Sequence, residues 1–103
     1  DDYPDFAIPL AQKVAADPSA RGILLCGSGQ GVCIAANRKK NVRAALAWDT
    51  QSAVASRKDD DANVLCLAGR MLTRKKAETI VLSWLFTGFS GLARHKRRLA
   101  KIS

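Results

Sequence analysis

The sequence is poor in several residue types that carry common chemistries: it has one histidine, one methionine, one tyrosine and three cysteines in 103 residues. The cysteines, Cys26, Cys33 and Cys66, lie far apart and form no Cys-x-x-Cys pair. Neither a disulfide framework nor a zinc site is indicated, and at least one thiol is left free. No apolar run approaches the roughly 18 residues needed to span a bilayer. The opening Asp1-Asp2-Tyr3-Pro4 lacks the basic region and apolar stretch of a signal peptide, so a cytoplasmic protein is expected. Internal repeats, low-complexity stretches and linkers are also missing. A length of 103 residues with a hydrophobic share of 48% gives room for one domain, residues 1–103, with a modest core.

Acidic residues are the minority. Seventeen Lys and Arg stand against nine Asp and Glu, a formal net charge of +8, which points toward an anionic partner. The basic residues gather in Arg38-Lys39-Lys40, in Arg70 with Arg74-Lys75-Lys76, and in Arg94-His95-Lys96-Arg97-Arg98 to Lys101. No aromatic residues interleave with these clusters to stack on bases, and no zinc-finger or sheet-platform signature accompanies them. A phosphorylated metabolite is therefore favoured over nucleic acid, and a membrane partner is not indicated.

Along the chain, Phe6 or Ala7, Leu10, Ala11 and Val14 fall at helical spacing, in a helix ending near Asp17-Pro18. Ile23-Leu24-Leu25 reads as a short strand running into Cys26 and a glycine-rich turn, and Val32 to Arg38 as the helix that follows. Val42 to Ala47 predicts a second strand, Asp49 or Thr50 a cap for a helix carrying Ala53, Val54 and Arg57, and Asn63 to Leu67 a third strand. Thr73 can cap the longest helix, with Ala77, Ile80, Val81, Trp84 and Leu85 on one stripe before Gly88. A basic helix from about Arg94 to Lys101 closes the chain. Strands alternating with helices over short connections imply parallel strands in a layered α/β domain.

In such a sheet, ligands bind beyond the carboxyl ends of the strands, where Cys26 lies. Gly27, Gly29 and Gly31 at alternate positions let the backbone turn sharply and aim N–H groups at one point, at a helix N-terminus that favours an anion. A position of this kind favours the thiolate of a cysteine placed there. The turn lacks the Lys-Ser/Thr ending of a P-loop, and a Gly-x-Gly-x-Gly pattern alone is shared by several loop types. The alternative for Cys26 is a small buried hydrophobe, the reading that suits Cys33 and Cys66. Arg94 and Arg98, at i and i+4, share a helix face and form a fork suited to a phosphate, or else a solvated basic face. His95, between them, points elsewhere and is read as structural or exposed.

Gly22-Ile23-Leu24-Leu25-Cys26-Gly27-Ser28-Gly29-Gln30-Gly31, followed by Ile34-Ala35-Ala36-Asn37-Arg38 and Val42-Arg43-Ala44-Ala45, closely resembles the core signature of the type B ribose-5-phosphate isomerases and galactose-6-phosphate isomerases. Arg57, Asp61-Ala62-Asn63-Val64-Leu65, Gly69-Arg70, Arg94-His95-Lys96-Arg97-Arg98 and Asp2-Tyr3-Pro4 extend the resemblance across the chain. It implies a Rossmann-like three-layer domain whose parallel sheet is flanked by helices. It also implies a cofactor-free aldose–ketose isomerisation of a sugar phosphate through a cis-enediolate. Cys26 matches the family's base and Ser28 its assisting hydroxyl. Gly27, Ser28, Gly29, Gln30 and Gly31 match the anion hole, Arg94 and Arg98 the phosphate clamp, and Arg70 a further substrate-site arginine. A second branch uses a glutamate base just after the turn, where this chain has Val32. The resemblance also implies a homodimer or dimer of dimers, with the Asp59 region and the arginine tail serving sites shared with a neighbouring subunit.

The chain departs from the family in places. Asp59 stands where the family has its ring-opening histidine, and Asp60 where it has a substrate-binding asparagine. A carboxylate can act as acid or base, but added negative charge weakens binding of a phosphorylated sugar. Gly91-Leu92-Ala93 replaces a tighter glycine pair before Arg94. The family's opening strand and helix have no counterpart, which predicts an unpaired sheet position and an exposed apolar edge. These departures keep open a degenerate member that binds sugar phosphates without turnover. The net charge keeps open, at lower rank, a basic nucleic-acid-binding domain.

Overall fold

Proline sets the start of the first helix. Pro4 opens α1 (Pro4–Ala16) at a position where its missing N–H costs nothing, and Asp5 places a carboxylate in the same first turn. Ala7, Ala11 and Val14 are buried along one face, and the helix runs through Pro9 before ending at Asp17. The computed structural model describes residues 2–103. After α1 come β1 (Gly22–Cys26), α2 (Gln30–Asn37), β2 (Ala44–Leu46), α3 (Thr50–Asp60), β3 (Val64–Ala68), α4 (Arg74–Leu85) and α5 (Ala93–Ile102). Among the described residues no helix is long and apolar enough to cross a membrane.

The sheet is parallel throughout, in the order β1-β3-β2. The central strand β3 explains its own sequence: Val64, Leu65, Cys66 and Leu67 are all buried, because helices cover both faces. On one face, Val64 and Cys66 join Leu24, Val32, Ala36 and residues of α1. On the other, Leu65 and Leu67 pack with Ala47, Ala53, Ile80 and Trp84 under α3 and α4. Among the described residues this is the expected layered α/β arrangement, a three-strand parallel sheet flanked by five helices. β1 differs from β3 although it is as apolar. Among the described residues it pairs only with β3, and while Leu24 is buried, Ile23 and Leu25 are 39% and 54% exposed.

Two expectations need correction. β2 spans Ala44–Leu46, not Val42 to Ala47. The shortening follows from Asn63, whose side-chain oxygen accepts the Arg43 N–H at 2.7 Å while its amide donates to the Asn41 carbonyl at 2.9 Å, so a side chain replaces ladder bonds at the strand's start. The longest helix is α1, with 13 residues, not α4, with 12. α4 is capped by Thr73, as its sequence implies, through a bond from the Lys76 N–H to the Thr73 hydroxyl oxygen. It stops at Leu85, ahead of Gly88.

Asp49, not Thr50, caps α3. Its carboxylate accepts the Ser52 N–H at 2.7 Å, and the Ser52 hydroxyl oxygen accepts the Asp49 N–H at 3.2 Å, a reciprocal box. The bonds from the Ser52 backbone and side chain hold the Asp49 carboxyl below the usual carboxylate range. A depressed folded-state pKa contributes stability above the unfolded value and loses it as the pH falls through the folded one. Asp49→Ala is therefore expected to lower the melting temperature at neutral pH and to cost much less in acid; equal losses at both would contradict the charged cap.

Candidate functional site

The strand β1 carries Cys26 to the carboxyl edge of the sheet, opposite Ala68 on β3. Beyond it the two strand ends stay tied: the Gly69 N–H donates to the Cys26 carbonyl at 2.7 Å and the Arg70 N–H to the Gly27 carbonyl at 3.1 Å. The turn then folds back so that the Gly29 N–H donates to the Cys26 sulfur at 3.2 Å, and the Gln30 N–H to the Ser28 hydroxyl oxygen at 3.3 Å. The Cys26 sulfur thus sits near the N-terminal end of α2 with one backbone N–H on it. The N–H of Gly31, a partly exposed residue in the first turn of α2, has no acceptor within the helix and can be offered to an anion.

Glycine is demanded here for stated reasons. Gly29 has φ of +74°, and a Cβ on it would lie 2.6 Å from a Leu46 methyl and 2.9 Å from the Leu67 backbone. Strain and overlap act together, so Gly29→Ala is expected to cost roughly 2–3 kcal/mol, read as a lower urea midpoint; an unchanged midpoint would mean that the turn is not held in this form. At Gly27 a Cβ would sit 2.8 Å from the guanidinium of Arg70. The absent side chain lets Arg70 lie across the turn beside Cys26. Gly31 is overlain in the same way by the Tyr3 ring, a contact that the sequence pattern gave no means to foresee.

The remaining candidates lie elsewhere. α3 leaves the carboxyl edge at Thr50 and runs back along 11 residues, about 16 Å, so Asp59 and Asp60 emerge at the opposite edge, beside the start of β3. α5 packs there too. The Ser90 N–H donates to the Lys58 carbonyl, and His95 Nε2 lies 3.6 Å from the Asp59 carboxylate. His95 is buried, with Nδ1 2.6 Å from the Ser90 hydroxyl and its ring beside Phe89, as the structural reading of this residue anticipated. Arg94, Arg98, Asp59 and Asp60 are exposed. The chain thus brings Cys26, Gly27, Ser28, Gly29, Gln30, Gly31 and Arg70 together, and assembles Asp59, Asp60, Arg94 and Arg98 at the far edge.

Arg57 is a structural centre that its local sequence does not signal. Arg57 is 4% exposed. It donates to the Thr87 carbonyl at 3.0 Å, the Asp61 carboxylate at 2.9 Å and the Ala62 carbonyl at 2.6 Å. Asp61 also receives Arg43. This knot joins the end of α3 to the segment leading into α5, and so fixes where the second group of residues stands. Among the described residues no group of three or more His, Cys, Asp or Glu is arranged to hold a metal ion.

A layered α/β domain that presents a thiol and free helix N–H groups at its strand ends is suited to acting on a small anionic molecule. Residues 1–102 match the ribose/galactose isomerase family, and the chain belongs to that family. It is 48% identical over 102 residues to a probable ribose-5-phosphate isomerase B of Mycoplasma pneumoniae, covering 99% of this chain and 66% of that protein. The structure of type B ribose 5-phosphate isomerase from Trypanosoma brucei superposes with a TM-score of 0.96 at 45% identity, covering 99% of this chain and 68% of that one. Ribose-5-phosphate isomerase B of Mycoplasma genitalium, solved with bound ribulose-5-phosphate, gives 0.95 at 48% identity, covering 99% and 67%. The chain spans about two thirds of the length of these relatives.

Proposed function

We propose that the protein is a cytoplasmic isomerase that interconverts a phosphorylated aldose and its ketose, with ribose 5-phosphate and ribulose 5-phosphate as the pair, in pentose phosphate metabolism. The observation that carries this reading is the Cys26 thiol at the strand ends, with the Gly29 N–H on its sulfur and the N-terminus of α2 behind it. Cys26 as thiolate takes the C2 proton of the open-chain aldose. The electron pair becomes the C1–C2 double bond, and the carbonyl oxygen becomes an oxyanion facing the N–H groups of the turn. Ser28 assists proton movement between the two oxygens. Return of the proton to C1 completes the ketose. Gly27, Gln30 and Gly31 shape the anion hole, and Arg70 contacts the sugar.

The separation of the two residue groups by the length of α3 supports a site completed by a second copy. In a homodimer or dimer of dimers, Arg94 and Arg98 of one copy clamp the phosphate over the turn of the other. Asp59, in the histidine position, opens the ring with His95 behind it, and Asp60 contacts the sugar. Mixing Cys26→Ala protein with an Arg94→Ala, Arg98→Ala double variant, each inactive alone, should restore about a quarter of the wild-type activity, because half of the randomly formed dimers are mixed and each carries one intact site. No recovery on mixing, from variants that exchange subunits, would refute the shared site.

The exposed carboxylates of Asp59 and Asp60 favour one second reading, a member that binds sugar phosphates without turnover. Asp59→His with Asp60→Asn separates the two. A gain in turnover from a measurable wild-type level fits the isomerase, whereas turnover that appears only in the variant fits the binder.

A further inference from the structure

All three thiols pack in or against one core cluster, and two of them, Cys33 and Cys66, lie outside the site just described. Cys66, in the middle of β3, is fully buried. Its Cα partners are Leu24 on β1 and Leu46 on β2, so its side chain stands on the face that α2 covers. Cys33, the fourth residue of α2, packs against that same cluster. Its sulfur lies 3.4 Å from the Ala44 carbonyl and 3.7 Å from the Asn37 amide nitrogen. Ala44 and Leu46 are alternate residues of β2, and Cys33 sits over them on the side where Cys66 emerges. Cys33 is only half-buried, so solvent reaches it, while Cys66 is closed off.

We infer that Cys33 and Cys66 form a peroxide-responsive dithiol: Cys33 is the thiol that peroxide attacks, and Cys66 is the resolving thiol that closes a disulfide between α2 and the central strand. The titration of the pair agrees with this division of labour. Hydrogen bonding with Cys66, with a further contribution from the Leu46 backbone, draws Cys33 down to about 7 against the opposing effect of burial. Cys66 is pushed up by its bond to Cys33 and by burial, and keeps its proton. A thiolate is the nucleophile toward peroxide, and a neighbouring thiol traps the product.

The chemistry balances with hydrogen peroxide as the oxidant. The Cys33 thiolate attacks one peroxide oxygen, the O–O bond breaks, and the departing hydroxide is protonated to water, leaving a sulfenic acid. The Cys66 sulfur then attacks the sulfenic sulfur, the S–O bond breaks, and hydroxide leaves with the Cys66 proton as a second water. Two thiols and one peroxide give one disulfide and two waters. The link would pin α2, whose N-terminus bears the glycine turn, to β3.

The test is a mass measurement on the full chain, independent of any catalytic reading. After treatment with hydrogen peroxide and alkylation under denaturing conditions, the expected product is a monomer lacking two hydrogens. Tryptic peptides 22–38 and 59–70 should be joined, and fragmentation should place the link at Cys33 and not at Cys26, the other cysteine of the first peptide. Dithiothreitol should restore both thiols. The link should persist in Cys26→Ala and vanish in Cys33→Ser and Cys66→Ala; if the buried Cys66→Ala fails to fold, the half-exposed Cys33→Ser decides. A link from Cys26 to Cys66, a link between two chains, or full alkylation of Cys33 and Cys66 after peroxide would each overturn the inference.

Discussion

Cys26→Ala is expected to lower the turnover of ribose 5-phosphate by about 10²–10⁴-fold, the contribution of a positioned general base. Substrate affinity should change little, because the groups proposed to hold the phosphate, Arg94 and Arg98, stand on another element. The loss belongs to the transition state: the thiolate acts only when a proton leaves carbon, so kcat and kcat/KM fall together. Cys26→Ser controls for geometry. It keeps an acceptor for the Gly29 N–H, which lies 3.2 Å from the sulfur in the native chain, but a hydroxyl is a far weaker base than a thiolate. Serine should therefore preserve the melting temperature and still lose activity. Full activity in either variant would remove Cys26 from the chemistry. The branch with a glutamate after the turn offers no substitute here, since that position is Val32, which is fully buried.

Arg57→Ala is expected to cost about 2–3 kcal/mol in stability, because it removes a buried side chain that donates to two carbonyls and a carboxylate. The native side chain satisfies three acceptors at once, the carbonyls of Thr87 and Ala62 and the carboxylate of Asp61. Alanine leaves the Thr87 and Ala62 carbonyls short of a donor, while Asp61, about a third exposed, keeps only Arg43. Arg57→Lys should recover only a fraction, because an ammonium cannot span the same three acceptors from one planar fork. Denaturant unfolding followed by circular dichroism would measure both. The knot also positions the segment into α5, so a tolerated Arg57→Lys protein should show weaker sugar-phosphate binding through displaced Arg94 and Arg98. A loss below about 1 kcal/mol for Arg57→Ala, the range of a surface ion pair, would contradict this role.

The features legible in sequence are those set by short-range pattern. The glycine turn after Cys26, the Thr73 cap and the alternation of strand and helix each need only a few neighbouring residues, and each stands in the fold. The order β1-β3-β2 and the exposed face of β1 are different in kind. Ile23-Leu24-Leu25 has the composition of a strand covered on both faces, and nothing local distinguishes it from Val64-Leu65-Cys66-Leu67. Burial there is decided by what packs on each face. Arg57 reads as one more charge on α3, and only the return of the chain at Asp61, Ala62 and Thr87 makes it a buried hub. β2 shortened because a side chain, Asn63, took over hydrogen bonds that a pattern of apolar residues assigns to backbone.

The candidate site divides along the same line. Cys26, Ser28 and the glycines are contiguous, so their convergence follows from the turn itself. Arg70 joins them through the parallel register of β1 and β3, which sets Ala68 against Cys26 and lets the Gly69 N–H donate to the Cys26 carbonyl. Asp59, Asp60, Arg94 and Arg98 gather at the far edge because α3 must run back along the sheet before β3 can begin parallel to β2. Sequence similarity names these residues but carries no information on which end of one chain they occupy. The pairing of Asp59 with His95 at 3.6 Å was hidden for the same reason, being made between two helices far apart in sequence.

A proton moved between adjacent carbons of a sugar phosphate by a side-chain base can exchange with solvent on the way. Ribose 5-phosphate incubated with the protein in deuterium oxide and followed by nuclear magnetic resonance should yield ribulose 5-phosphate carrying deuterium at C1, formed about 10²–10⁴-fold more slowly by Cys26→Ala protein. Sugar-phosphate binding without any ketose or exchange at C2 in the wild-type protein would rule out proton transfer by this chain.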